Sequence, residues 1–201
     1  MNPFLPFVLF AFVASITPGP TNILVLTNSS RHGMTAVLPI VFGACAGAAL
    51  LVLVVGMGLG DVLGRYHGVQ TAMSWIGIAW LTYLAWQIFS SPATTVDPAP
   101  GSSSGPSMGL VGGASLQLVN PKTWMMALAV VSVFAGTDAD RMLRVAYLSL
   151  IFFLVSVPCM IAWGYLGVSA AKFCRSASSM QRFNRVMALL LLVSAWLTVV
   201  V

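Results

Sequence analysis

Two proline-containing hexapeptides bring together the residue types in this sequence that could bind a small charged ligand. The first is Thr17-Pro18-Gly19-Pro20-Thr21-Asn22, and the second is Gln117-Leu118-Val119-Asn120-Pro121-Lys122. Proline lacks a backbone N–H and displaces the carbonyl four residues earlier, so each motif leaves backbone donors and acceptors unpaired. Unpaired N–H groups at a helix N-terminus suit a carboxylate, and unpaired carbonyls suit an ammonium group. The two motifs therefore favour a ligand that carries both groups, such as an amino acid.

The predicted binding residues are the members of these motifs that break the helix or carry a polar side chain. They are Thr17, Pro18, Gly19, Pro20, Asn22, Gln117, Asn120, Pro121 and Lys122. A single proline, such as Pro158, is more simply explained as a kink in a helix. Two interruptions at matching places, 101 residues apart from Pro20 to Pro121, indicate a shared site instead.

The composition indicates whether the chain folds in water or in a membrane. The 201 residues include only nine Lys or Arg and four Asp, and Glu is absent. Charged residues make up 6% of the chain and hydrophobic residues 59%, whereas about 25% of a soluble domain is charged. Water could not solvate a surface with so few charges, which excludes a soluble enzyme and a nucleic-acid-binding protein. The basic residues lie near the ends of apolar segments, as they do in integral membrane proteins.

Apolar segments long enough to cross a bilayer recur along the chain. A membrane helix needs about 20 apolar residues. The sequence supplies such segments at 1–30, 32–60, 66–96, 108–136, 145–171 and 186–201. The N-terminus lacks the positive charge of a signal peptide, so the first segment is predicted to be an uncleaved helix. The predicted fold is an all-α integral membrane protein with six transmembrane helices.

A low-complexity segment divides the chain into two halves of three helices each. Residues 90–107 consist mainly of Ser, Pro, Gly, Ala and Thr, a composition typical of a flexible linker. We expect a single membrane domain over 1–201, with a first repeat at 1–89 and a second at 108–201. Because each half has an odd number of helices, the second half inserts in the opposite orientation. The halves are therefore predicted to be inverted repeats, each beginning with a broken helix.

The distribution of positive charge orients the chain. Five basic residues lie in predicted loops or at helix ends on the side that holds the 90–107 linker: Arg31, Lys172, Arg175, Arg182 and Arg185. Three lie on the other side, together with three of the Asp residues: Arg65, Arg141 and Arg144. Since the more basic side faces the cytoplasm, the linker is predicted to be cytoplasmic and both termini to lie outside.

Lys122 is the one charged residue that falls within a predicted span. A Lys at the centre of a membrane helix costs about 2.5–3.5 kcal/mol, so it must face protein, water or a ligand. The predicted spans contain no Asp to pair with it. Two partners remain, namely carbonyls freed at the first break or the carboxylate of a ligand. The alternative is a position near the interface, from which the side chain reaches the headgroups.

The sequence does not support other kinds of chemistry. Cys45, Cys159 and Cys174 lack paired spacing, and His32 and His67 are isolated loop residues, so neither a disulfide nor a metal site is predicted. Enzyme motifs are missing, and no cofactor is expected. A secondary transporter is favoured. A channel and a non-transporting membrane subunit are the alternatives, although the charge rings typical of a channel are not visible.

At these motifs the sequence resembles the LysE/RhtB family of bacterial amino-acid exporters. Thr17-Pro18-Gly19-Pro20 followed by Asn22 resembles the family's first-helix motif, and Asn120-Pro121-Lys122 resembles its fourth-helix motif. Tyr83-Leu84-Ala85-Trp86 is similar to part of its third helix. The resemblance covers residues 1–201. It implies a multi-pass exporter of small amino acids in the bacterial inner membrane, driven by an ion gradient, with protons as the expected coupling ion.

One departure from the family pattern narrows the expected substrate. Many members carry an Asp in the second helix after Gly-x-x-x-Gly, whereas here Gly43-Ala44-Cys45-Ala46-Gly47 is followed by Ala48. The resemblance then favours neutral substrates, of the cysteine/O-acetylserine or homoserine/threonine type, over lysine or arginine. Gly43 and Gly47 also form a small-residue face, which favours close helix packing and leaves a homodimer as an alternative.

Overall fold

The described part of the chain is helical apart from short breaks. The structure, a computed structural model, describes residues 4–60, 67–90, 108–136, 140–173 and 176–200. Within these ranges the α-helices are α1 (Phe4–Ile16), α2 (Pro20–Val54), α3 (His67–Phe89), α4 (Leu110–Val119), α5 (Pro121–Phe134), α6 (Arg141–Phe173) and α7 (Ala177–Val200), and a π-helical turn, Val55–Leu59, continues α2. Two helical segments, Pro20–Leu59, which is kinked at Gly33, and Arg141–Lys172, are long and apolar enough to cross a membrane. The linker from 91 to 107, Arg65, Cys174 and Arg175 lie outside the described residues.

Both proline motifs interrupt a helix, as the sequence predicts. Between α1 and α2, Gly19 is extended with φ −163°, and Pro20 is the first helical residue. Between α4 and α5, Asn120 is extended with φ −90° and ψ 105°, and Pro121 is the first helical residue. Proline suits the first turn of a helix because its missing N–H would have no intrahelical partner there in any case. Each motif therefore ends one helix and starts the next.

Arg31 and His32 lie in the last helical turn before a break at Gly33, and not in a loop. α2 continues through both residues and bends at Gly33, whose φ of 81° lies in the left-handed region that glycine tolerates. The Arg31 guanidinium donates to the Ile88 carbonyl at 3.4 Å, near the C-terminal end of α3. A cation is favourable at the C-terminal end of a helix, so the end of α3 stabilises the Arg31 charge although Arg31 itself is helical.

Two more boundaries differ from the sequence prediction. α6 begins at Arg141 and α7 at Ala177, so both start before the apolar segments that we predicted at 145–171 and 186–201. Their polar first turns are also helical. The sequence prediction starts too late because hydropathy marks only the apolar part of a helix and not its end. Arg182 and Arg185 therefore lie within α7.

α2 is the central helix, and it packs most extensively on α6 and then on α4. Glycines allow this close approach. A Cβ on Gly43 would overlap the carbonyl oxygen of Leu110, and a Cβ on Gly47 would lie 2.8 Å from that of Ala114. The small-residue face of α2 is thus covered by α4 within the same chain, which leaves no room for a homodimer contact through these two glycines.

α3 and α7 form a second helix pair beside this centre. Leu81, Leu84 and Ile88 of α3 pack in one apolar cluster with Ala188 and Leu191 of α7. The pair meets the second break at Gly77, where a Cβ would overlap the carbonyl oxygen of Val119. The helices therefore converge on the two proline breaks.

Candidate functional site

The two proline breaks meet in space, and Lys122 joins them. Lys122 Nζ donates a hydrogen bond to the backbone carbonyl of Thr17 at 2.7 Å. A Cβ on Gly19 would lie only 2.9 Å from Lys122 Cδ and 3.0 Å from Nζ, so the lysine side chain rests against the glycine. Of the two partners that the sequence allows for this ammonium group, the structure has the carbonyl freed at the first break.

Side chains bind the carbonyls freed at the end of α1. Asn22 Nδ2 donates to the carbonyl of Ser15 at 2.9 Å. Trp163 Nε1, on α6, donates to the carbonyl of Ile16 at 3.2 Å. The last carbonyls of a helix have no partner within it, and in a membrane they need such donors. The first break is therefore a hydrogen-bonded structure and not a simple kink.

The two helices that begin at the breaks are capped differently. Asn120 Oδ1 accepts the backbone N–H of Lys122 at 3.2 Å and so caps α5. Trp124 Nε1 donates to the carbonyl of Leu118 at 2.8 Å, near the end of α4. At the start of α2, Gly19 provides no side-chain cap, so the positive end of the helix dipole lies uncapped next to the Lys122 ammonium.

Polar side chains from both breaks form one hydrogen-bonded cluster around Thr21. Asn120 Nδ2 donates to Thr21 Oγ1 at 3.0 Å, and Gln117 Nε2 donates to the same oxygen at 3.3 Å. Thr123 Oγ1 donates to Gln117 Oε1 at 2.8 Å. All four side chains are buried. Because a satisfied buried network is rigid, the cluster holds the two breaks in a fixed relation.

A small cavity lies beside this cluster, between α1, α2, α4, α5 and α6. Its polar lining includes Ser15, Thr21, Asn22, Gln117, Asn120 and Lys122. Its volume is about 40 Å³, which holds a few water molecules at most. Small-molecule pockets usually measure about 300 Å³ or more. The space beside the cluster is therefore smaller than an amino acid, and it is partly open.

One lining residue, Ser15, has an unused hydroxyl. Among the described residues, Ser15 Oγ is buried without a hydrogen-bond partner. An unsatisfied buried hydroxyl costs about 1–3 kcal/mol, so the position favours a water molecule or a ligand group beside it.

The part of the lining that α2 contributes beyond the break is uncharged. Ala44, Cys45 and Ala48 face the same cavity as Lys122. Position 48, where the family resemblance implies a carboxylate in many relatives, is thus part of this site. The described lining contains no carboxylate and no imidazole.

A family model described as LysE type translocator matches residues 12–200, which is nearly the whole chain. The chain belongs to the LysE family. It is therefore a helical membrane protein of an amino-acid efflux transporter family, which is not a family of enzymes. The match confirms the resemblance that the two proline motifs indicate.

Individual relatives of this LysE-family chain are efflux and membrane proteins. The cysteine/O-acetylserine efflux protein of Klebsiella pneumoniae is 26% identical over 161 residues, which cover 80% of each chain. The protein of the same name from Escherichia coli is 26% identical over 187 residues, 92% of each chain. A protein of Vibrio cholerae named as an uncharacterized membrane protein is 25% identical over 183 residues, 90% of this chain and 88% of that one. No solved structure shows a significant match.

The predicted binding residues of the LysE-family chain fall into three groups. Those that line the cavity are Asn22, Gln117, Asn120 and Lys122. Those that are buried in the breaks and shape the backbone are Gly19, Pro20 and Pro121. Thr17 and Pro18 are exposed, and the Thr17 hydroxyl donates to the carbonyl of Val13, so only the backbone of Thr17 reaches Lys122.

Several lining residues of the LysE-family chain are not among the predicted ones. Thr21 and Thr123 carry the hydrogen-bonded cluster, and Ser15 presents the unused hydroxyl. Thr21 lies inside the first motif, and Thr123 directly follows Lys122. Including every polar residue in or next to the two motifs would have predicted both. Met160 and the other lining residues of α6 lie in a plain apolar helix and carry no such signal.

Proposed function

We propose that the chain is a secondary exporter of small neutral amino acids or their derivatives, of the cysteine/O-acetylserine or homoserine/threonine type. The Lys122 ammonium carries the proposal, because it lies between the two breaks at a cavity whose other polar groups are uncharged. A substrate carboxylate would replace the Thr17 carbonyl as its partner and would lie at the uncapped start of α2. The names of the Klebsiella and Escherichia relatives support the same substrate class.

The remaining lining suits the rest of a neutral amino acid. Ser15 offers a hydroxyl without a protein partner to the substrate's amino group. Ala48, Met126 and Phe152 offer apolar contacts to a small side chain. A lysine or arginine substrate would bring a second positive charge to a lining that, in the described residues, has no carboxylate to pair with it.

Alternating access around the breaks is the transport mechanism that we propose. The helix contacts support two inverted repeats, in which α1, α2 and α3 of the first half correspond to α4, α6 and α7 of the second. The contact of α2 with α4 is then equivalent to that of α6 with α1, and α3 packs on its own counterpart, α7. The repeats would be 1–89 and 108–201, in a bacterial inner membrane with both termini periplasmic and the 90–107 linker cytoplasmic. The 40 Å³ cavity is too small for an amino acid, so it must widen for a substrate to bind and pass.

Protons are the coupling ion that we propose, as the family resemblance implies. Lys122 would then carry the proton, because the described lining contains no carboxylate and no imidazole. Protonated Lys122 would hold the substrate carboxylate, and its deprotonation would weaken that contact and favour release.

A flux assay in oriented vesicles tests the proposed function. Vesicles that contain the protein are loaded with labelled cysteine or O-acetylserine, and flux is measured with and without an imposed pH gradient. We expect saturable flux that rises with the gradient. Flux that does not saturate would assign the chain to a channel, and no flux with any neutral amino acid would favour a non-transporting subunit.

Ala48→Asp is expected to change the charge selectivity of this flux. The variant adds a carboxylate to the cavity that holds Lys122. A buried carboxylate is costly unless it is paired, so it will pair with Lys122 or with a cationic substrate. We expect neutral-amino-acid flux to fall at least about tenfold, which corresponds to ~1.4 kcal/mol, and lysine to inhibit the remainder.

Ala48→Ser is the matched control, because it adds a small polar group without charge. We expect its flux to stay within about twofold of the unmodified protein, since a serine hydroxyl in a helix can donate to the carbonyl four residues earlier and so is not left unpaired. Neutral flux that is unchanged in Ala48→Asp, with no inhibition by lysine, would show that position 48 does not set the charge selectivity.

A further inference from the structure

A groove separate from the transport site runs between α3 and α7. Its volume is about 290 Å³, and its apolar lining includes Ala85, Ala188, Leu189 and Leu192. Leu189 is exposed, so the groove is open to the surface of the chain. The two alanines have the smallest side chains of this lining, which leaves a trough between the larger ones.

The groove has a defined direction along the two helices. At one end Arg185 lies over Phe89, and towards the other end Trp196 Nε1 donates to Thr82 Oγ1 at 3.3 Å. α3 and α7 are therefore antiparallel here, and the lining extends from Thr82 to Phe89 on one and from Arg185 to Leu192 on the other. Two helical turns correspond to about 10 Å. The trough thus runs parallel to the helix axes, with a cation at one end only.

The charge at that end has no counter-charge on either helix. Arg185 Cζ lies 5.5 Å from the centroid of the Phe89 ring, which holds the guanidinium at the mouth of the groove. Arg31 is bound to the Ile88 carbonyl nearby, and exposed Arg182 lies one turn before Arg185. Neither α3 nor α7 contains an Asp or Glu. The rim is positive and fits a negatively charged group.

We propose that this groove binds an acyl chain of an anionic phospholipid, with the lipid phosphate on Arg185. A cationic end on an apolar trough matches a ligand with an anionic head and a hydrocarbon tail. The planar guanidinium suits phosphate because it can donate two parallel hydrogen bonds. A second copy of the chain is a poorer occupant. Two copies in the same membrane orientation would place their arginine rims at the same depth, where the positive charges would repel each other.

Lipid binding to the purified full-length protein tests the proposal. Phosphatidylglycerol and phosphatidylcholine with the same acyl chains are titrated in a neutral detergent, and bound lipid is counted by native mass spectrometry. We expect one phosphatidylglycerol to bind in preference to phosphatidylcholine, whose phosphate is already neutralised by its own choline group. Arg185→Gln should weaken its binding about fivefold, the effect of one basic residue near a membrane surface. Leu189→Trp fills the groove from its exposed rim and should weaken the binding of both lipids.

Arg182→Gln is the matched control, since Arg182 is exposed on the same helix but does not line the groove. It should weaken phosphatidylglycerol binding less than Arg185→Gln does, because Arg182 adds to the positive rim without lining the groove. Equal binding of the two lipids by the unmodified protein would overturn the proposal, as would equal losses in the two arginine variants. Displacement of the lipid by millimolar inorganic phosphate would assign a small-anion site instead. If the unmodified protein shows the mass of a dimer and Leu189→Trp does not, the groove binds a second copy of the chain.

Discussion

Lys122→Ala is expected to reduce export of neutral amino acids at least about 30-fold while the protein still inserts into the membrane. The ammonium is the charge that joins the two breaks, through its 2.7 Å hydrogen bond to the Thr17 carbonyl. In the proposed complex the ammonium pairs with the substrate carboxylate. Losing one partner of such a hydrogen-bonded charge pair costs about 2–5 kcal/mol, and the lower value corresponds to about 30-fold. Since alanine also avoids the expense of an ammonium group in a membrane helix, insertion should not suffer.

Lys172→Ala is the matched control for this result. Lys172 is the only other lysine of the chain and is exposed in the last turn of α6. We expect export by Lys172→Ala to equal that of the unmodified protein at equal membrane abundance. Normal export by Lys122→Ala, measured as saturable flux in the same vesicles, would show that Lys122 has no part in transport.

Gly43→Ala is expected to lower both the unfolding temperature and the flux. The added Cβ would overlap the Leu110 carbonyl oxygen and lie 2.8 Å from its carbon and 3.0 Å from its Cα. These are backbone atoms of the first turn of α4, so the whole helix must move. Such overpacking costs about 1–3 kcal/mol, or roughly 5 °C in a chain of this size. The same movement would carry Gln117 and Asn120 away from Thr21.

Gly68→Ala is the control for the glycine substitution. A Cβ on Gly68 meets nothing within 4 Å, and the residue is exposed in α3. Alanine favours a helix over glycine, so thermal unfolding, followed by tryptophan fluorescence in detergent, should stay the same or rise slightly. An unfolding temperature for Gly43→Ala equal to that of Gly68→Ala would contradict the close contact between α2 and α4.

The break positions follow from the sequence because proline has a strong and local effect on a helix. Pro20 and Pro121 each begin a helix after an extended residue, and the local sequence is sufficient to place them. The role of Thr21 depends instead on partners 96 and 99 residues away, Gln117 and Asn120. No periodicity or spacing marks such a pairing, because it exists only once the helices have packed.

The boundary near Arg31 shows a different limit of sequence reasoning. A charge at the end of an apolar run predicts a loop, yet the Ile88 carbonyl accepts a hydrogen bond from Arg31 and the helix continues to Gly33. The small-residue face at Gly43 and Gly47 does predict close packing. Its partner, α4, could not be named from sequence, since any helix with a suitable surface would satisfy the same pattern.

The affinity of the purified protein for an amino acid and for its carboxamide tests most directly whether Lys122 binds the substrate carboxylate. Cysteine or O-acetylserine and the matching amide, which lacks the negative charge, are titrated against the unmodified protein and Lys122→Ala. We predict that the unmodified protein prefers the amino acid at least about 30-fold, and that Lys122→Ala abolishes this preference. The same preference in both proteins would contradict a carboxylate site at Lys122.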